Sequence, residues 1–154
     1  MNNLYESFNY DSTFRAIFSK NKLTFFTSNS SFIVDSDINF DINSSDITSL
    51  DYFASSLLSS IMYSIANLAK KNDIFLDDFE GKIFLTLSNP LTLLGVKNYN
   101  EEPNITKCIV KIYAYTELDD KDFINFCNTA LKNSFIYNTL KNAIPITINF
   151  IPTL

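Results

Sequence analysis

The side chains best equipped for covalent chemistry in this sequence are two thiols, Cys108 and Cys127. A thiolate is a strong nucleophile, and it forms near neutral pH only with exposure and a nearby positive charge. The sequence offers neither thiol that setting. Cys108 alternates with Val110 and Ile112 along an expected strand, while Lys107 and Lys111 fall on the opposite face. Cys127 stands four residues from both Phe123 and Leu131 on an expected helix. Both read as small buried hydrophobes. The 154 residues contain no histidine, which excludes Ser-His-Asp and Cys-His nucleophiles and imidazole metal sites. Two cysteines are too few for a four-thiolate zinc site. Gly81 and Gly95 are the only glycines, so there is no P-loop and no dinucleotide fingerprint. Asp119, Asp120 and Asp122 read as a helix start, because no glycine-containing calcium loop follows them. No metal and no cofactor are expected.

Charge narrows the partners. Twelve Lys+Arg against seventeen Asp+Glu give a net charge of −5. Nucleic acids and anionic membrane surfaces call for a basic footprint, so neither is an expected partner. Hydrophobic residues make up 46% and charged ones 19%, the balance of a folded globular chain. The longest apolar segment, Phe53 to Leu68, is interrupted by five serines and does not read as a membrane span. Met1 to Tyr10 has no basic run and no apolar stretch, so it does not read as a signal peptide. The expectation is a cytoplasmic protein with reduced thiols, one domain over residues 1–154, with 1–12 as a polar lead-in.

The elements that must position these residues follow from periodicity. Phe14 to Phe18 and Leu23 to Thr27 predict a hairpin around Ser19-Lys20-Asn21-Lys22. A turn at Ser28 to Ser31 leads to a third strand at Phe32-Ile33-Val34, and residues 35–47 read as a loop. Leu50, Phe53, Ala54, Leu57, Leu58, Ile61, Met62, Ile65, Leu68 and Ala69 then recur at three- and four-residue steps. That spacing predicts an amphipathic helix of about six turns. Thr48 and Asp51 have the spacing of a capping box, Lys70 and Lys71 suit the last turn, and Asn72 is the expected left-handed stop. Apolar residues cover more than half of this helix's circumference, as for a helix buried within a sheet wrap or a dimer.

Alternation at Ile83, Leu85 and Leu87 predicts a strand, and Pro90 to Thr106 an irregular connection. A strand over Cys108 to Tyr115, a helix starting at Asp119 to Asp122 and a short helix over Ile136 to Asn142 follow. The last strand runs through Ile144, Ile146, Ile148 and Phe150, with Pro145 tolerated at an edge or at its start. The order is β-β-β-α-β-β-α-α-β, an α+β arrangement.

Two segments within this order carry a family resemblance. One is Ser49-Leu50-Asp51-Tyr52-Phe53-Ala54-Ser55-Ser56-Leu57-Leu58-Ser59-Ser60, followed by Ala69 to Ile74. The other is Ala130-Leu131-Lys132-Asn133-Ser134-Phe135-Ile136-Tyr137-Asn138-Thr139-Leu140, followed by Ile144. In order and spacing they resemble the OsmC/Ohr superfamily, from about residue 14 onward. The resemblance implies central helices wrapped by antiparallel sheet, an intertwined homodimer and a redox role in stress response. It also implies thiol-dependent reduction of organic hydroperoxides. Here the sequence departs from the family. The family's reactive cysteine matches Ser60, its partner cysteine matches Ser134, and the proline after it matches Phe135. The family's acid falls near Leu50, with Asp51 one position on, and Arg15 is the only arginine available. A serine hydroxyl forms no sulfenic acid and cannot run the thiol cycle.

The expected site is therefore a pocket without a catalytic residue, its candidates Arg15, Asp51, Ser56, Ser60, Ser64, Ser134 and Phe135. On a helical wheel Ser56, Ser60, Ser64 and Asn67 share one side. They form either a polar seam lining a pocket or a set of small residues that lets helices pack closely. Three functions follow. The first is a non-catalytic or altered family member that binds a small hydrophobic molecule. The second is a hydroperoxide-reducing or other redox enzyme working through Cys127 or Cys108. The third is a structural or partner-binding domain with a vestigial site.

Overall fold

Lys20 and Asn21 carry φ angles of 51° and 60°, and they make the first turn among the described residues. Two consecutive positive φ angles match the right-handed twist of the strands they join, so a two-residue link closes the hairpin. The computed structural model describes residues 10–153; residues 1–9 of the expected lead-in and Leu154 lie outside the described residues. The chain divides into two compact units, residues 1–53 and 54–154. Among the described residues no helix is long and apolar enough to cross a membrane.

The N-terminal unit is an antiparallel meander of β1 (Arg15–Ser19), β2 (Lys22–Phe26) and β3 (Ser31–Val34). Alternation puts Phe25 beside Ala16 on one side and Phe32 on the other. An aromatic row results, running Phe14, Phe25, Phe32, Tyr52 with ring centroids 5.6, 4.9 and 4.6 Å apart. The Tyr52 hydroxyl donates to the Ile33 carbonyl at 2.9 Å, tying the start of the first helix to β3. The loop after β3 is closed by Asp35, whose carboxylate accepts from Lys22 Nζ and from the Ile47 N–H.

The first helix, α1 (Ser49–Lys71), begins with the expected capping box. The Asp51 N–H donates to Thr48 Oγ1 at 3.2 Å, and the Thr48 N–H donates back to Asp51 Oδ2 at 2.8 Å. Its end differs from expectation by one residue. The left-handed residue is Asp73 (φ 53°), not Asn72. Asn72 still donates to the Leu68 carbonyl as a helical residue, and the Ile74 N–H closes the end on the Ala69 carbonyl at 2.9 Å. Asp, with a short polar side chain, tolerates that conformation as Asn does.

The C-terminal unit contains the rest of α1, then β4 (Leu76–Ser88), β5 (Asn104–Thr116), α2 (Asp120–Ala130), α3 (Phe135–Leu140) and β6 (Ile146–Thr153). Sheet order is β4-β5-β6. The wrap expected to be antiparallel throughout is mixed: β4 and β5 are antiparallel, but β6 runs parallel to β5. The reason lies in the connection. Both α2 and α3 are spent crossing back over the sheet, and such a crossover delivers the next strand in the same direction. Pro145 precedes β6, which is an edge strand, and its carbonyl accepts from the Cys108 N–H at 2.9 Å.

The core lies on one face of this sheet. Cys108, Val110, Ile112 and Ala114 alternate inward from β5 with no exposure, against Leu57, Ile61 and Ile65 of α1 and Phe123, Cys127 and Ala130 of α2. Each large apolar side chain so buried contributes about 1.5–3 kcal/mol. Gly81 on β4 sets how closely α1 approaches. A Cβ there would lie 2.6 Å from Met62 Sδ and 2.8 Å from Leu58 Cδ1. In the single chain the buried side of α1 is the stripe Leu57, Ile61, Ser64, Ile65 and Ala69, and Tyr63 is 69% exposed.

Candidate functional site

Ser60 and Ser134 meet with their hydroxyl oxygens 3.0 Å apart. Ser60 comes from the middle of α1 and is half-buried. Ser134 is fully buried and joins a 3-10 turn (Leu131–Asn133) to α3. Its backbone is extended (φ −86°, ψ 98°), as at a helix N-cap, yet its side chain makes no capping bond. The hydroxyl instead turns toward α1. Asn138 holds the junction, donating from Nδ2 to the Leu131 and Lys132 carbonyls at 3.2 and 3.0 Å. Each hydroxyl can both donate and accept, so the half-buried Ser60 hydroxyl gives the buried Ser134 hydroxyl its partner.

Above this pair a groove of about 520 Å³ opens between α1 and the start of α3. One side of α1 supplies Ser56, Ser59, Ser60, Tyr63, Asn67 and Lys71. Asn133, Phe135 and Ile136 stand opposite, and Leu68 and Ser64 complete the lining. Phe135 is 73% exposed and forms a wall without filling the groove. The Ser64 hydroxyl is already committed to the Ile61 carbonyl at 2.7 Å, as a small buried residue back-bonding within its helix.

The sequence-predicted residues thus separate into three sets. Ser56, Ser60, Ser64 and Phe135 line the groove, and Ser134 bonds to Ser60. Asp51 and Arg15 belong to the N-terminal unit and are engaged there. The hydrogen bonds from the Thr48 N–H and hydroxyl hold the Asp51 carboxyl below its ordinary range. The Arg15 guanidinium lies 5.6 Å from the centroid of the Phe26 ring. Sequence reasoning passed over Tyr63, Lys71 and Asn133. The first two were findable: from Ser60, steps of three, four and four reach Tyr63, Asn67 and Lys71 along one helix face.

The two thiols lie elsewhere in the C-terminal unit and do not line the groove. Both are fully buried. Burial pushes the Cys108 thiol up and the Cys127 thiol up to about 12. Neither forms an appreciable thiolate near neutral pH.

Solved structures share this fold. An OsmC-like protein from Mycoplasma pneumoniae superposes with a TM-score of 0.75 at 11% identity, covering 95% of this chain and 99% of the other. An organic hydroperoxide resistance protein from Elizabethkingia anophelis gives 0.66 at 11% identity, covering 99% and 100%. The organic hydroperoxide resistance protein OhrB of Bacillus subtilis gives 0.61 at 11% identity, covering 92% and 98%. At these identities the likeness is one of fold. No curated protein matches the sequence. The OsmC-like protein family matches it over residues 42–149, which include α1, the Ser60–Ser134 pair and both buried thiols, and the chain belongs to that family.

Proposed function

We propose that this chain is a non-catalytic member of the OsmC-like family that binds a small hydrophobic molecule in the groove beside Ser60 and Ser134. The observation that carries the reading is the 3.0 Å contact between those two hydroxyls. They stand at the positions that resemble the family's two reactive cysteines, and their contact is what a replaced thiol pair would leave behind. A hydroxyl cannot be oxidised to a sulfenic acid, so the pair supports shape and polarity but no redox cycle. Burial of Cys108 and Cys127 argues against either thiol having taken over the reaction.

The working form in this reading is a cytoplasmic homodimer. Exposed Ile17 and Ile33 on one face of the N-terminal sheet support it, since a partner chain would cover such side chains. Sedimentation of the full chain at micromolar concentration tests the dimer.

Titration with the neutral fluorescent probe N-phenylnaphthylamine tests the groove. The expected result is saturable binding, abolished in a folded Ser60→Trp variant. Absence of saturable binding, or binding indifferent to Ser60→Trp, would overturn the reading.

A further inference from the structure

We infer that the groove selects an amphipathic carboxylate, with the head group on Lys71 and the hydrocarbon along the serine seam toward Ser60; this rests on the groove being a hydrophobic-ligand site. Charge comes first. Lys71 is the one charged side chain among the lining residues, and no carboxylate stands beside it in the groove. Among the described residues Lys71 makes no ion pair. In a chain of net charge −5, an unpaired ammonium at the end of an apolar-walled groove is the feature that discriminates between ligands.

Geometry gives the length. Ser60, Asn67 and Lys71 are seven and four residues apart, so at about 100° per residue they fall within about 40° of one another around α1. Eleven residues separate Ser60 from Lys71, about 16 Å along the helix axis. Tyr63, Leu68, Phe135 and Ile136 flank that path with apolar surface. A head group on Lys71 therefore leaves room for an extended acyl chain of medium length.

One force opposes an anion here. Lys71 is the last residue of α1, where the helix dipole is negative. Carboxylate preference therefore rests on the ammonium alone and disappears with it. Lys70, its neighbour, does not line the groove and supplies a control.

The experiment is displacement of bound N-phenylnaphthylamine from the full chain by dodecanoate and, separately, by dodecanol. Dodecanoate is expected to displace the probe at about tenfold lower free concentration than dodecanol, as for one charge-assisted contact. Lys71→Gln is expected to bring dodecanoate to the level of dodecanol in the same variant, and Lys70→Gln to leave both compounds as in the unmodified protein. Equal displacement by the two compounds, or an advantage that survives Lys71→Gln, would overturn the carboxylate assignment while leaving the groove a hydrophobic site. Failure of the probe itself to bind would overturn both.

Discussion

Ser60 and Ser134 are 74 residues apart in the sequence, and their hydroxyl oxygens lie 3.0 Å apart in the fold. A contact so distant in sequence depends on α1 and the α2–α3 junction being held over the same sheet. The pair therefore reports on both the packing and the chemistry of the site. It also yields a direct energetic test. Ser60→Ala and Ser134→Ala should each destabilise the protein by about 0.5–1.5 kcal/mol, as expected for one lost hydrogen bond. The double variant should cost less than their sum, because the bond can be lost only once. Urea unfolding of the four proteins measures the coupling, and strict additivity would mean the two hydroxyls act independently.

The same closeness makes the pair convertible to a disulfide. A Ser60→Cys, Ser134→Cys variant should lose two of its four thiols under mild oxidation while remaining folded. Each single variant should keep all three. Thiol counting in denaturant reads the result. Four surviving thiols in the oxidised double variant would show that the side chains do not approach as described.

Gly81 should resist substitution. A Cβ at that position meets Met62 Sδ and Leu58 Cδ1 well inside contact distance. Both are ends of flexible side chains, so the conflict is relieved by repacking and does not prevent folding. Gly81→Ala is expected to destabilise by about 1–2 kcal/mol, less than the overpacking alone would impose, because alanine also restricts the unfolded chain. Pairing it with Met62→Ala should cost less than the two changes separately, and a unfolding midpoint unchanged by Gly81→Ala would refute the close approach.

Acid sensitivity has a defined origin at the start of α1. The Asp51 carboxyl titrates below its ordinary value of 3.8 because it accepts from the Thr48 N–H and hydroxyl. A depressed folded value means the stabilisation is fully present above that ordinary value. It is lost as the pH falls through the lower folded value. Asp35 behaves in the same way, through Lys22 and the Ile47 N–H. Stability measured from about pH 6 to about pH 3 should therefore fall less steeply in Asp51→Asn than in the unmodified protein. Parallel curves would remove Asp51 as a contributor.

Much of this was readable in the residues, and the exceptions have physical causes. Thr48 and Asp51 announced the start of α1 because a capping box is local, complete within four residues. The hairpin at Lys20-Asn21 was equally local. Asp73 was missed because either Asn or Asp can take the left-handed position, and only the closing bond from Ile74 to Ala69 decides which does. The direction of β6 was missed because alternation shows that a strand exists, not which way it pairs. The Ser60–Ser134 pairing came from motif order, since no periodicity links residues on different elements. Lys71 was read only as a complement to the helix dipole, although it also projects into the groove three turns beyond Ser60.

The proposed binding role requires that neither thiol works as a nucleophile. The most direct measurement is consumption of cumene hydroperoxide by the native protein in the presence of a dithiol reductant, with titration of native thiols alongside. The predicted result is no consumption above that of the reductant alone, with Cys108 and Cys127 reacting only after denaturation. Sustained turnover that Cys127→Ser or Cys108→Ser abolishes would contradict it and make the protein a peroxidase with a relocated thiol.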